Sequence, residues 1–428
     1  MEKCEMKKVR NIVVIVLSVI CVGILVFLLW NLRSTEKSAQ EIIPEVQPEP
    51  MSEQSVSDSD VSGNSAENSG DPTELPETEE SEPVDLVEKR AEELLEGMTL
   101  EEKVGQMFIA RCPETDAASK VTQYHLGGYI LFARDFTGKT KEEVTAAIQS
   151  YQNAAKVPLL IGVDEEGGTV NRVSKNANLR ETPFASPQEL YAQGGWDLIR
   201  SDTQEKCQLL QNLGINLNFA PVCDVSQDPQ DFIYVRSFGQ DAEQTAVYVQ
   251  TVVGVMSEEH MGSVLKHFPG YGNNSDTHTG VAYDERPIER FVNSDFLPFQ
   301  AGIDAGADMV LVAHNVVSCM DDQVPASISL PVHNILRNEL GFDGVIITDD
   351  LVMEGVRQFA GDAEIAVRAV QAGNDMLCCT DFEVQVPAVI KAVETGEITE
   401  ERLNESVLRI LKMKIKLGII ADYQNFSQ

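Results

Sequence analysis

The sequence predicts an α/β protein whose single folded domain is a (β/α)8 TIM-type barrel. Three observations predict it. Short apolar runs recur eight times, helical patterns lie between most of them, and charged residues collect just after the runs. The strand candidates are residues 106–110, 128–132, 159–163, 216–220, 264–268, 309–313, 345–348 and 376–379. Most are continuous apolar runs rather than alternating ones, which suits strands buried on both faces. Helical patterns cover residues 141–153, 196–213, 242–260, 288–305, 331–340 and 363–372, and residues 403–417 form the closing amphipathic helix. An open doubly wound sheet is the competing architecture of the same class. Its dinucleotide-binding form would need Gly-x-Gly-x-x-Gly after the first strand, and none is present.

The barrel is expected to occupy residues 86–428. Ahead of it, residues 11–30 are apolar after Asn11 and carry no charge. Twenty residues at ~1.5 Å each span ~30 Å, the hydrocarbon thickness of a bilayer. Lys3, Lys7, Lys8 and Arg10 precede the run, and only Arg33 and Lys37 follow closely. That asymmetry places residues 1–10 in the cytoplasm and the catalytic domain outside, anchored by a single-pass helix in the cell membrane. A cleaved signal peptide is the rival reading, but its apolar core would be shorter and a clear cleavage site should follow.

Residues 31–85 read as a disordered, Ser/Pro/Glu-rich acidic linker. From residue 38 to residue 85 there are 14 acidic residues and no Lys or Arg. One-signed charge with so little apolar content cannot support a core, so this stretch is a spacer. The whole chain of 428 residues carries a net charge of −35. Such a surface repels nucleic acid, and no basic patch with interleaved aromatics appears beyond the N-terminal segment.

The carboxyl ends of barrel strands carry function, and several here end in charge. The third strand ends in Asp164-Glu165-Glu166-Gly167-Gly168, with Arg172 beyond it. Arg236 lies in the long segment after the fourth. The sixth ends in His314-Asn315, and the seventh in Thr348-Asp349-Asp350. Most informative is the fifth, which runs into Lys266-His267-Phe268-Pro269-Gly270-Tyr271-Gly272-Asn273-Asn274-Ser275-Asp276-Thr277-His278. Four titratable groups sit on that proline- and glycine-bent stretch, which points to chemistry rather than packing. Each group alone reads as an ion pair or a solvated turn; the gathering at one rim is the signal.

These motifs resemble the glycoside hydrolase family 3 β-N-acetylhexosaminidases, the NagZ-like group. The resemblance rests on Lys-His-Phe-Pro-Gly-x-Gly with a downstream Asp-x-His, Asp-x-Glu-Gly-Gly, and Thr-Asp-Asp-Leu-x-Met-x-Gly, in order along the folded region. It implies the barrel independently. It also implies a retaining exo-β-N-acetylglucosaminidase that removes terminal β-linked GlcNAc from cell-wall fragments or related glycans, with no cofactor and no metal. Asp349 matches the nucleophile. The neighbouring Asp350 is its competitor, but the first Asp after the strand should project into the barrel mouth. His278 matches the general acid/base and Asp276 its carboxylate partner, which would favour and orient a protonated imidazole. Asp164, Arg172, Arg236, Lys266 and His267 match sugar-binding positions.

Two departures from the family stand out. Tyr271 replaces a His, and the loop from Gly272 to Asp276 is one residue shorter. They bear on the leaving-group side more than on the mechanism. A β-glucosidase-like specificity, phosphorolysis of the same intermediate and a non-catalytic wall-binding role are the alternatives.

Of the eight cysteines, six lie in the exported part, mostly beside apolar runs, and read as small buried hydrophobes. Cys378 and Cys379 are strand neighbours on opposite faces and should not pair. His314 reads as a pocket or core residue rather than a metal ligand. A monomer is the expected state.

Overall fold

The computed structural model describes residues 83–420, apart from Ser275, His278 and Thr279. The expected cytoplasmic segment, the membrane segment and nearly all of the linker therefore lie outside the described residues, as does the acid/base candidate His278. Among the described residues no helix is long and apolar enough to cross a membrane.

Each of the eight apolar runs becomes a strand. They are β1 (Phe108–Arg111), β2 (Gly128–Leu131), β3 (Leu160–Val163), β4 (Leu217–Asn218), β5 (Gly262–Phe268), β6 (Met309–Val312), β7 (Val345–Thr348) and β8 (Leu377–Cys379). All are parallel, in the order β8-β1-β2-β3-β4-β5-β6-β7. A bridge between Ile347 and Met376 joins the two ends of the sheet. The strand order never reverses, so the doubly wound alternative is excluded and the sheet forms a barrel. Every residue of β2, β3, β6 and β7 is buried, as continuous apolar strands require.

The strand at residues 216–220 is shorter than its apolar run. The Asn216 side chain replaces the ladder at its start, accepting from Ile161 N at 2.8 Å and donating to Leu159 O at 3.0 Å. At its end Ala220 N turns back to Asn218 O, and Pro221 has no N–H to offer.

Helices also differ from their patterns for local reasons. The helix Pro187–Gln211 is broken at Gly195, whose φ of 59° and ψ of −147° are not helical, so the expected start at Trp196 marks the restart. The stretch 288–305 resolves into Ile288–Arg290, a π turn at Phe291–Asp295, and Phe296–Asp304. Pro298 has no N–H for the Ser294 carbonyl, which disrupts the regular ladder there. The helix Phe382–Glu394 has no counterpart among the expected ones; Pro387 lies inside it.

The helix Pro83–Glu96 starts three residues before the expected boundary at residue 86. It packs on the closing helix Glu400–Lys416, and Lys412 donates to Glu88.

The closing helix also buries Lys414 at the amino-terminal end of the barrel. Its Nζ donates to Gln106 Oε1 at 2.7 Å and Gly127 O at 2.9 Å, two neutral acceptors. Burial pushes the ammonium down to about 7. An unfolded lysine titrates near ~10.4. The folded chain therefore binds fewer protons between these values, and stability rises with pH across that window. Below it the buried charge is an uncompensated cost. Lys414→Met is expected to raise the thermal midpoint relative to wild type at pH 6 and to lose that advantage by pH 10. Melting curves of both proteins across this range test it; a constant difference would contradict the burial argument.

Candidate active site

The charged residues at the carboxyl ends of the strands meet in one cavity of ≈ 260 Å³, lined by Asp164, Arg172, Arg236, Lys266, His267 and Asp349 among others. A larger hollow of ≈ 450 Å³ lies near the opposite ends of the strands, beside Val87, Phe342 and Lys416.

The run Asp164-Glu165-Glu166 splits by strand alternation. Asp164 and Glu166 turn one way, and both grip Lys266, whose Nζ is 2.8 Å from Asp164 Oδ1 and 2.6 Å from Glu166 Oε1. Glu165 turns the other way and is wholly buried. Its carboxylate accepts the amides of Arg172 at 2.8 Å, Val173 at 2.7 Å and Ser174 at 3.1 Å, together with the Ser174 hydroxyl. That clamp shapes the turn that carries Arg172, whose guanidinium lies 3.8 Å from Asp164.

Arg236 reaches in from the segment after β4 and holds Glu166 with two bonds. Nε donates to Oε2 at 3.0 Å and Nη2 to Oε1 at 2.7 Å. Burial pushes the Glu166 carboxyl up, but the Arg236 and Lys266 charges outweigh it and hold it well below the usual carboxylate range. Burial likewise pushes Lys266 down, and Asp164 and Glu166 reverse this. The cations are thus locked in place with their charge kept.

His267 is oriented from both sides. A guanidinium can only donate, so the 3.1 Å contact from Arg236 Nη2 makes His267 Nε2 an acceptor. Nδ1 then carries the proton and donates to Asp224 Oδ2 at 2.7 Å. Asp224 is fully buried and also accepts His267 N at 3.2 Å and Tyr271 N at 2.6 Å. The ladder between β5 and β6 slips in register between Leu265 and Phe268, a bulge that helps aim Lys266 and His267 toward the same cavity.

Asp349 and Asp350 are both half-buried and both line the cavity. Both oxygens of Asp350 are occupied: Oδ1 accepts Val352 N and Thr380 N at 3.1 Å each, and Oδ2 accepts the Thr380 hydroxyl at 2.6 Å. His314 is fully buried, and its Nε2 lies 3.1 Å from the Asp350 carbonyl, with Ser327 Oγ 2.7 Å from Nδ1. It braces the turn from within the core. Asp349 is half-buried on the cavity wall, with Oδ1 accepting Asp350 N at 2.8 Å.

The glycine-bent loop is stiffened from below. Gly270 and Gly272 have φ of 122° and 56°, and a Cβ would come within 2.5 Å of Asp295 Oδ1 at Gly270 and 2.4 Å of Arg286 Cζ at Gly272. Arg286 fills that space, donating to Asp284, to Asp295 at 2.8 Å and to Gly270 O at 3.0 Å. Asp276 is half-buried further along the loop and does not line the cavity.

Sequence reasoning missed four parts of this arrangement. Glu166 had a readable signal, because alternation puts it beside Asp164. Asp224 follows a strand only two residues long and had none. Arg111, at the end of β1, also lines the cavity; its guanidinium stacks 4.5 Å from the Phe132 ring centroid, and its buried Nε has no acceptor among the described residues. The fourth is the Tyr271 hydroxyl, bonded to Thr277. All six cysteines among the described residues are free, and five are buried, Cys378 and Cys379 included.

The fold and site together are a parallel barrel with two adjacent aspartates after β7 and a fixed carboxylate–cation array after β3 and β5. Residues 99–413 match the Glycosyl hydrolase family 3 N terminal domain, and the chain belongs to that family. It is 31% identical over 327 residues to Beta-hexosaminidase A of Pseudoalteromonas piscicida, covering 69% of this chain and 54% of that one. It is 31% identical over 331 residues to Beta-hexosaminidase LpqI of Mycobacterium tuberculosis, covering 73% and 82%. Among solved structures, a glycoside hydrolase family 3 beta-N-acetylglucosaminidase from Paenibacillus sp. str. FPU-7 superposes with a TM-score of 0.71 at 34% identity, covering 76% of this chain and 64% of that one. The chain thus spans about half of the first relative and under two thirds of the Paenibacillus chain.

Proposed function

We propose that this protein is a retaining exo-β-N-acetylglucosaminidase acting on terminal β-linked GlcNAc of cell-wall fragments or related glycans. The observation that carries the reading is the single cavity that Asp349 shares with Lys266 and Arg236, two cations that Asp164 and Glu166 fix in place. The names of the relatives supply the sugar. In the first step Asp349 attacks the anomeric carbon and the glycosidic C–O bond breaks. The leaving oxygen takes a proton from His278, oriented by Asp276. In the second step water gives a proton back to His278, its oxygen bonds to the anomeric carbon, and Asp349 leaves as carboxylate. Asp164, Arg172, Arg236, Lys266 and His267 hold the hydroxyls and the acetamido group, since fixed donors and acceptors suit a polyhydroxylated ring. Residues 11–30 anchor the enzyme in the cell membrane, and the acidic linker lets the domain work outside it.

The purified full-length chain, assayed with 4-nitrophenyl β-GlcNAc and 4-nitrophenyl β-glucoside with and without phosphate, is expected to release nitrophenol from the first far faster and independently of phosphate. Faster glucoside turnover would overturn the specificity. A sugar 1-phosphate product would replace hydrolysis by phosphorolysis.

A further inference from the structure

Tyr271 is 3% exposed, yet its hydroxyl spends its bonds on a single residue of its own loop. It accepts Thr277 N at 2.9 Å and shares a 2.7 Å bond with Thr277 Oγ1. Thr277 is wholly buried and lies between Asp276 and His278 in the chain. On its other side, Thr277 O accepts Gly355 N at 3.0 Å, from the turn that follows Asp349 and lines the cavity through Val352 and Met353. A Cβ on Gly355 would sit 3.0 Å from Thr277 O and 3.1 Å from Thr277 Cβ, so the two segments meet without spare room.

The base of this latch is equally fixed. Tyr271 N donates to Asp224 Oδ1 at 2.6 Å, the same carboxylate that orients His267. The ring packs against His267 and Phe232, with centroids 5.5 Å and 5.7 Å away. Burial pushes the phenol up to about 12, with smaller pushes from Asp349 and Asp276, so it stays a neutral hydroxyl at working pH. A tyrosine needed only for packing would not require an oxygen aimed at the middle of an Asp-x-His motif.

We propose that Tyr271 is a positioning residue, a latch that holds Thr277 between the sugar-binding wall and the turn of Asp349 and so sets the phase of the proton-transfer loop. It touches no substrate itself. The inference rests on the glycosidase reading above. Removing the hydroxyl keeps the ring and the Asp224 contact and loses the two bonds to Thr277. Proton transfer then suffers while sugar binding and nucleophilic attack do not.

The test compares full-length wild type with Tyr271→Phe on aryl β-N-acetylglucosaminides of graded leaving-group acidity. A dinitrophenolate departs without a proton, whereas a poor leaving group needs one. The expected kcat/KM falls about 10- to 100-fold for the poorest leaving group. For the dinitrophenyl substrate it changes less than about 3-fold, because that constant reports only the first step. Its kcat falls, since water attack needs the base, and azide restores it. Azide forms its N–C bond at the anomeric carbon as Asp349 departs, and needs no base. Thr277→Val is expected to follow the same pattern more mildly, and Thr277→Ser to behave as wild type. A uniform loss across leaving groups without azide rescue, or no loss at all, would overturn the latch while leaving the glycosidase reading intact. An inactive wild type would overturn both.

Discussion

Asp349→Ala is expected to lower kcat on 4-nitrophenyl β-GlcNAc by at least about 10⁴-fold, the scale seen when a covalent nucleophile is removed. The loss should fall on kcat rather than on binding, because the sugar-holding groups do not depend on Asp349. Lys266 is fixed by Asp164 and Glu166, and Arg236 by Glu166. The matched change at Asp350 acts through shape. It would release Thr380 and Val352 and loosen the turn, with a smaller loss of rate and a measurable loss of stability. Steady-state kinetics of the two variants check the assignment. A fully active Asp349→Ala enzyme would refute it.

The second large effect is on stability. Glu166→Ala leaves Arg236 and Lys266 buried without the carboxylate that both of them hold. Breaking a buried ion cluster from one side typically costs about 3–5 kcal/mol, because the remaining charges stay desolvated. The chemical-denaturation midpoint is expected to fall by that equivalent, and activity to vanish with it as Lys266 and Arg236 lose their positions. The pH dependence has a definite sign. The folded Glu166 carboxyl is held below its unfolded value, so its stabilisation is present above about pH 4.3 and is lost as pH falls through the folded value. Glu166→Ala should remove that acid-side decline along with the stability itself. An unchanged midpoint would show that the cluster contributes nothing net.

The barrel was legible because most of its strands are continuous apolar runs, a pattern that suits burial on both faces, and because helical patterns alternate with them. β4 was less so, since the Asn216 side chain and Pro221 curtail a ladder whose apolar run continues. The helix Phe382–Glu394 was hidden by its internal proline. At the site, residue types and strand-end positions revealed the cations, Lys266 and Arg236, but not what fixes them. Glu166 and Asp224 act through contacts that join segments 70 and 43 residues apart. No local period carries such pairings. Tyr271 stood out only as an unusual letter; its link to Thr277 depends on the loop's shape, which Gly270, Gly272 and Arg286 impose together. Asp349 was chosen over Asp350 on the family resemblance and on alternation; the structure places both on the cavity wall, with Asp350 also bonded to Thr380.

The most direct test of the account is to trap the glycosyl-enzyme. Full-length protein is treated with a 5-fluoro-N-acetylglucosaminyl fluoride, whose ring fluorine slows hydrolysis of the intermediate, and digested for peptide mass mapping. The account predicts one sugar ester, on Asp349, absent from Asp349→Ala. An ester on Asp350 or another carboxylate, or none while the enzyme releases α-configured sugar from a β-glycoside, would contradict it.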